Sequence, residues 1–264
     1  MDSITEKRRS SIIEELRRHQ MVKVSELSNR FGVSEVSIRR DMRYLEALGV
    51  LKRVHGGAIS VANRPIAGPT MADPAMAGTD LRTEQKQRIG RAAAAMVAPG
   101  DRLILDSGTT TMQVAAHLSN NLLADGNLTV ITASLSIVRQ LGAHKGLHLI
   151  VLGGIYFPDY ELMVGPQTIE TLKSLHADKM FLGTDGLTFS QGITTANVLE
   201  AEVDRAMVRA ATEVIVVADS SKIGGIGLAT IMPLSGIHKL ITDTDAPADF
   251  VGALREQGIE VILV

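Results

Sequence analysis

VSELSNRFGVSEVSIRRDMRYLEALGVLKRVHGGA, residues 24–58, is the stretch that decides how the rest of the chain is read. Ser25 is suited to cap a short helix over 26–31, because a serine hydroxyl accepts from the unpaired amides of a first turn. Gly32 then allows a tight turn. Ser34 is suited to cap a second helix reaching about Ala47, on which Ile38, Met42 and Leu45 fall at i, i+4 and i+7 and form one apolar stripe. Val36, Arg40 and Arg43 lie on the opposite face, flanked by Ser37 and Arg39. Beyond Gly49, Lys52-Arg53-Val54-His55-Gly56-Gly57-Ala58 has the composition of a basic hairpin whose glycines allow positive φ. The pattern predicts a helix-turn-helix followed by a β-wing.

The exposed chemistry of that pattern suits DNA. Guanidinium groups pair bidentately with guanine or hold phosphate oxygens, a hydroxyl serves either surface, and a valine methyl can meet the thymine methyl. A second helix carrying these groups reads bases from the major groove, and a basic wing touches the flanking backbone. The residues expected to meet DNA are Ser25, Val36, Ser37, Arg39, Arg40 and Arg43 from the helical part and Lys52, Arg53 and His55 from the wing. The competing reading is a three-helix domain whose basic face is merely solvated. A winged helix that binds only protein has no need of so many cations on one side.

The segment S-x-x-S-I-R-R-D-M-R-x-L-E-x-x-G at Ser34–Gly49, continued by L-K-R-V-H-G-G-A at Leu51–Ala58, resembles the N-terminal signature of the DeoR family of bacterial regulators of sugar metabolism. The terminal H-G-G-A makes the resemblance specific among winged helices.

Length and composition bound the remainder. A chain of 264 residues is comfortable for two domains, and 45% hydrophobic with 21% charged residues describes a globular protein. No apolar run approaches the roughly 20 residues that span a bilayer, and the charged opening of the chain has no signal-peptide pattern. The expectation is a cytoplasmic protein with no membrane partner. The absence of cysteine excludes disulfides, thiolate catalysis and cysteine-ligated metal centres. The net charge of −2 conceals a division: residues 1–64 hold 13 Lys+Arg against 8 Asp+Glu, leaving 14 against 21 for the remainder. Attraction to phosphate acts through that local basic excess, while the acidic remainder repels a duplex.

In chain order, residues 5–18 place Ile12, Ile13 and Leu16 on one strip of a scaffold helix. The expected domains are a winged helix-turn-helix over 1–59, a Pro-punctuated linker over 60–83 with Pro65, Pro69 and Pro74, and an α/β domain over 84–264. A helix is expected from Glu84 to Val97, with Lys86 and Arg88 as surface charges and Pro99-Gly100 ending it. Short apolar runs then alternate with helical stretches: 103–105, 128–132, 149–152, 179–183, 214–218, 239–242 and 260–264. They imply a mainly parallel sheet covered on both faces.

Ligands of open parallel sheets gather beyond the carboxyl ends of the strands. The first run ends Asp106-Ser107-Gly108-Thr109-Thr110-Thr111 and enters a helix, offering amides and hydroxyls to an anion. Thr132 and Ser134 follow the second run, Gly153 and Gly154 the third, Asp185 and Gly186 the fourth, and Asp219 and Lys222 the fifth. Hydroxyls, carboxylates and one cation suit a phosphorylated sugar, with Lys222 supplying the charge. Neither a Walker A loop nor a dinucleotide fingerprint is present, so ATP and NAD lose support and no cofactor is expected. A metal site is not expected either: His144 and His148 are spaced i, i+4, but Gly146 between them indicates a loop.

The resemblance extends here. L-D-S-G-T-T-T at Leu105–Thr111, Gly153-Gly154, F-L-G-T-D-G at Phe181–Gly186, A-D-S-S-K at Ala218–Lys222 and I-T-D at Ile241–Asp243 are similar to the DeoR sensor domain. The resemblance implies a ribose-5-phosphate-isomerase-like (NagB-like) α/β fold that binds a phosphorylated sugar and loosens a repressor from its operator, with the helix carrying Lys86 beside the effector site. Two departures stand out: relatives commonly have Asn at the position of Ala133, and a lysine is frequent near Asp204. The expected function is a DNA-binding regulator, a repressor of carbohydrate-catabolism genes released by an anionic sugar metabolite. Its expected partners are operator DNA, that effector and further copies of the chain, as a dimer or tetramer that places two reading helices on two half-sites. The alternative is a phosphosugar-isomerase-like enzyme fused to a DNA-binding domain, with Asp106, Asp185 or Asp219 as general base. No catalytic residue is assigned under the leading reading.

Overall fold

In the computed structural model the chain is described at residues 8, 11, 12, 15, 21–47, 51–54, 57–60 and 82–264, with backbone alone at 21, 44, 46, 47, 51–54, 59 and 60. It divides into two compact units, Met1–Pro65 and Ile66–Val264. The expected linker over 60–83 falls almost wholly outside the described residues.

The first unit contains strand β1 (Met21–Lys23), helices α1 (Val24–Phe31) and α2 (Glu35–Ala47), and the hairpin strands β2 (Leu51–Val54) and β3 (Gly57–Ser60). Ser25 does not cap α1. The helix begins one residue earlier, at Val24, and Lys23 occupies the cap position without a side-chain bond. The core explains the difference, since Val24 and Leu27, at i and i+3, are both buried. Ser34 does cap α2, its Oγ accepting from the Ser37 amide at 3.3 Å. Ile38, Met42 and Leu45 pack with Ile12, Val22, Val24, Leu27 and Ala58. Ile13 and Leu16, expected on the same strip as Ile12, lie outside the described residues. The wing is one strand larger than the sequence indicated: β1 pairs with β3, and the sheet order is β1-β3-β2. A Cβ on Gly57 would lie 2.2 Å from the Val22 carbonyl oxygen, so this glycine serves the close approach of β3 to β1. Asp41, in the R-R-D-M run, is buried and accepts from Arg8 Nε at 2.7 Å, tying the first helical residues to α2.

The second unit opens with α3 (Thr83–Ala94), then β4 (Arg102–Leu105), α4 (Thr109–Ala116), α5 (Asn120–Ala124), β5 (Thr129–Thr132), α6 (Leu135–Leu141) and β6 (His148–Val151). It continues with β7 (Ile155–Phe157), β8 (Leu162–Val164), α7 (Pro166–Leu172), β9 (Ala177–Leu182), β10 (Gly186–Thr188), β11 (Gly192–Thr195) and α8 (Val198–Arg209). The last elements are β12 (Ala211–Val217), β13 (Ala229–Met232), β14 (Lys239–Thr242), α9 (Ala248–Glu256) and β15 (Glu260–Leu263).

Seven strands in the order β15-β14-β12-β9-β4-β5-β6 form one parallel sheet. These are the seven apolar runs of the sequence. Alternation along each strand feeds two cores. Leu103, Leu105, Phe181, Ile215 and Val217 meet α3, α4 and α6 on one face, while Ile104, Met180, Leu182, Val214 and Val216 meet α7, α8 and α9 on the other. The chain runs outward from β4 through β5 to β6, then returns to place β9 on the other side of β4. Strand order therefore reverses between β4 and β9, and their carboxyl ends diverge around a crevice. Two smaller antiparallel pieces, β7-β8 and β10-β11-β13, extend from the sheet. They left no alternating signal in the sequence because each strand has only three or four residues.

Helices α3 and α4 meet with almost no gap. A Cβ on Gly90 would lie 2.4 Å from Gln113 Cβ and 2.5 Å from its carbonyl carbon, so a methyl there must push the α4 backbone. The substitution Gly90→Ala is expected to cost about 1–3 kcal/mol, the usual penalty of overpacking, read as a lower midpoint in urea. An unchanged midpoint would mean that the two helices can separate freely.

Candidate functional site

In the first unit the face of α2 opposite its buried stripe is open. Val36 is 60% exposed, and Arg39, Arg40 and Arg43 are exposed. Arg39 pairs with Glu35 at 2.6 Å, and Arg43 Nε contacts the Arg39 carbonyl oxygen at 3.5 Å. An exposed pair of this kind is worth at most about 1 kcal/mol, so Arg39 is only weakly held by Glu35. Ser37 is partly covered by its contact with Ser34. Ser25 is exposed in the first turn of α1. The backbone of Lys52 and Arg53 belongs to β2, opposite Ile59 and Ala58 of β3; their side chains, and all of His55, lie outside the described residues.

In the second unit a cavity of about 260 Å³ opens at the crevice between β4 and β9. The loop after β4 supplies Asp106, Ser107, Gly108, Thr109 and Thr110; the loop after β9 supplies Gly183, Thr184 and Asp185; and the turn after β12 supplies Asp219, Ser221 and Lys222. Arg82, Lys86, Tyr160, Thr195, Glu200, Asp204 and Ile231 complete the wall. Gly108 sits before α4 with φ 109°, and no side chain caps that helix, so its N-terminal end is presented to the cavity bare. Lys86, expected as a surface charge, is instead buried on α3 and lines the cavity. Arg88 is exposed as expected.

Carboxylates dominate the lining. Asp106 accepts from the Ser107 amide at 2.5 Å and the Gly183 amide at 3.0 Å, which joins the β4 and β9 loops. Glu200 accepts from Ser107 Oγ at 3.0 Å and from Thr195 Oγ1. Asp185 accepts from the Ala196 amide at 2.9 Å and faces Lys222 at 3.6 Å. Asp219 accepts from the Ser221 amide and hydroxyl and faces Arg82 at 3.5 Å. Asp204 stands close enough to Asp106 and Glu200 for their charges to oppose its ionisation. Burial pushes the Asp106 carboxyl up to about 6, against its bonds from Ser107 and Gly183. Burial, reinforced by Asp106, pushes Glu200 up to about 8. Asp204 is raised by burial and by the charges of Asp106 and Glu200.

Several residues expected at the effector site lie elsewhere. Thr111 is fully buried, donating to the Ser107 and Gly108 carbonyls. Thr132 donates to the Leu105 carbonyl oxygen and accepts from the Ser134 amide, so both stabilise the β5 end without lining the cavity. Gly153 accepts from Thr168 Oγ1, and Gly154 packs against Thr168 and Val164. Gly186 lies against Gly225, whose oxygen would be 2.3 Å from an added Cβ. Ala133 is buried in the core and does not line the cavity, so the departure at that position alters packing. Asp204 does line it. Glu200 had no place among the expected site residues, and Asp204 stood out only as a departure from relatives; the signal of both was phase, since they fall i, i+4 on the α8 face that buries Val203 and Met207. Ser221 lay within the A-D-S-S-K motif without being singled out, and Arg82, Tyr160, Thr195 and Ile231 carried no signal of their own.

Comparison with known proteins places the chain in a family. Residues 8–64 match the DeoR-like helix-turn-helix domain and residues 81–244 the DeoR C-terminal sensor domain. The chain belongs to the DeoR family of DNA-binding transcriptional regulators. It is 35% identical over 98% of its length to a putative aga operon transcriptional repressor of Escherichia coli O157:H7, covering 94% of that protein. It is 32% identical, again over 98% of its length, to the HTH-type transcriptional repressor GlcR of Bacillus subtilis (strain 168), covering 96% of it. Among solved structures, ribose 5-phosphate isomerase A of Methanocaldococcus jannaschii aligns with a TM-score of 0.40 at 16% identity, over 54% of this chain and 55% of that one. The protein is a regulator and not an enzyme, which sets the isomerase alternative aside. No helix among the described residues is long and apolar enough to cross a membrane.

The raised carboxyl groups set a pH dependence. Asp106, Glu200 and Asp204 keep protons in the folded state that the unfolded chain has lost, so the folded form binds more protons and stability falls as pH rises. The loss begins above the ordinary values of 3.8 for Asp and 4.5 for Glu, and for Glu200 it is complete above about 8. The expected result is a thermal transition that moves down between about pH 5 and about pH 8, with a shallower decline in Glu200→Gln. An equal decline in the variant would show that Glu200 ionises at its ordinary pH.

Proposed function

We propose that the chain is a cytoplasmic repressor of carbohydrate-catabolism genes that leaves its operator when a phosphorylated, or otherwise anionic, monosaccharide enters the cavity at the β4–β9 crevice. The observation that carries this reading is the uncapped N-terminal end of α4 opening into a cavity that Arg82, Lys86 and Lys222 also line. Helix N-terminal amides and compact ammonium groups are the ordinary receptors of a phosphate. The hydroxyls of Ser107, Thr109, Thr110 and Thr195 and the carboxylates around them suit the hydroxyls of a sugar, and the cavity volume suits a single monosaccharide unit. Both similar relatives bear the name repressor, which supports that sign of regulation here.

Val36, Ser37, Arg39, Arg40 and Arg43 of α2 form the base-reading face, with Ser25, Lys52, Arg53 and His55 on the flanking backbone. A homo-oligomer pairs two such faces on two half-sites. Effector and operator then oppose each other by linkage: a ligand that weakens DNA binding must itself bind less tightly to the DNA-bound form.

The test begins with a duplex selected from a random-sequence library by the full-length protein, followed by a thermal-shift panel of sugar phosphates and their unphosphorylated parents. Phosphorylated sugars are expected to stabilise the protein and release the duplex, and the parents to do neither. Lys222→Ala is expected to keep duplex affinity and to need about tenfold more effector for release, the size of one charge-assisted hydrogen bond. Equal effector affinity in the free and DNA-bound forms would overturn the mechanism. Arg40→Ala is expected to relax preference at one base position if Arg40 reads a base, or to weaken all sequences alike and flatten the salt dependence if it holds a phosphate.

A further inference from the structure

The cavity holds five acids, Asp106, Asp185, Glu200, Asp204 and Asp219, against three bases, Arg82, Lys86 and Lys222. An anionic sugar alone adds negative charge to a lining that is already acidic in excess. The acids are not spread evenly over the wall. Asp185 and Asp219 face Lys222 and Arg82, whereas Asp106, Glu200 and Asp204 stand together. Within that group the oxygens of Glu200 and Asp106 receive donors from Ser107, Thr195 and Gly183. Asp204 Oδ1 is the exception: it is buried, and no N–H or hydroxyl donor from the described residues reaches it. A buried oxygen without a donor costs free energy unless a bound molecule satisfies it.

We infer that the sugar this cavity takes carries a protonated amine as well as its anionic group, with the ammonium donating to Asp204 Oδ1 between Asp106 and Glu200. The inference rests on the sugar-phosphate reading above and narrows it to amino sugar phosphates. An ammonium brings donors to the one oxygen that lacks them and supplies the positive charge that the acid cluster lacks. A hydroxyl at the same place brings one donor and no charge. Burial of the cluster makes the difference larger, because charge-assisted bonds strengthen where water is excluded. Among the described residues no group of three or more His, Asp or Glu is placed to hold a metal ion, which leaves an ammonium as the better-fitting cation. With the cavity empty, protons on the raised carboxyl groups do the neutralising that the ammonium takes over.

The experiment is a calorimetric titration of the full-length protein near neutral pH. Glucosamine 6-phosphate and galactosamine 6-phosphate are each compared with the hydroxyl parent, glucose 6-phosphate or galactose 6-phosphate, and with the N-acetylated form. At least one amine is expected to bind about tenfold or more tightly than both its parent and its N-acetyl form, the worth of a charge-assisted bond in a buried site. Asp204→Asn, checked for folding by its thermal transition and its duplex binding, is expected to shrink that ratio to within about twofold, because the amide is neutral and leaves the ammonium without its partner charge. Parents or N-acetyl forms that bind as tightly as the amines would overturn this inference while leaving the sugar-phosphate reading in place. So would an amine preference that survives Asp204→Asn. Failure of every phosphorylated sugar in the set to bind would overturn both.

Discussion

The carboxylate of Asp106 is the point on which the second unit is organised. It stands where the parallel sheet reverses its strand order, and its bonds from the Ser107 and Gly183 amides join the ends of β4 and β9. The ladder between β4 and β9 runs to Leu105 opposite Phe181 and ends with the Asp106 amide on the Phe181 carbonyl oxygen; beyond it the connections leave in opposite directions. A buried acceptor that takes both amides closes the crevice floor while leaving its mouth open. The same burial raises the Asp106 pKa, so the group that holds the loops together also answers to the charge of whatever enters above it.

From that floor the wall is assembled out of parts of different origin. The end of α4 and the loop after β9 belong to the sheet. Thr195 comes from β11, in the small antiparallel sheet, and Glu200 and Asp204 from α8, which packs on the opposite core from α4. The hydroxyls of Ser107 and Thr195 both donate to Glu200, so the first turn after β4 and the end of β11 are joined through one α8 side chain. A ligand that touches the uncapped end of α4 and the acids of α8 therefore bridges the two faces of the sheet. Differential contact of that kind is what a two-state sensor requires, since a ligand can shift an equilibrium only by its difference in affinity for the two forms.

Much of this architecture was legible in the sequence, and what was not has a physical reason. The seven sheet strands announced themselves because a strand buried on both faces carries a short unbroken apolar stretch, as in the LIL of β4, the VI of β5 and the VIVV of β12. The α2 stripe was equally plain, since Ile38, Met42 and Leu45 repeat at a helical period. Strands β1, β7, β8, β10 and β11 were silent because three or four residues hold too few alternations to be told from loop. Ser25 misled because its capping propensity, worth about 1 kcal/mol, is outweighed by burial of Val24. Thr111 and Thr132 shared the composition of the site but their hydroxyls were claimed by neighbouring backbone groups, and the Ser134 amide by Thr132, a distinction that composition cannot make. Glu200 was hidden for the opposite reason, and Asp204 showed only as a departure from relatives: charged residues on a helix are usually solvated, and only their phase beside Val203 and Met207 marks them as inward.

The first unit solves a different electrostatic problem. Asp41 sits in the middle of a basic helix, and its buried pairing with Arg8 withdraws one negative charge from the surface. Were it exposed among Arg39, Arg40 and Arg43, it would oppose each phosphate those groups approach. Turned inward, it ties Arg8 to α2, so the side chain that withdraws a negative charge from the basic face of α2 also fixes that face in place. Glu35 is handled less strictly, paired with Arg39 at the surface, where water and salt keep the bond weak. The two acids thus differ in consequence: breaking the buried pair disturbs the fold, whereas breaking the exposed one only frees a guanidinium at the surface.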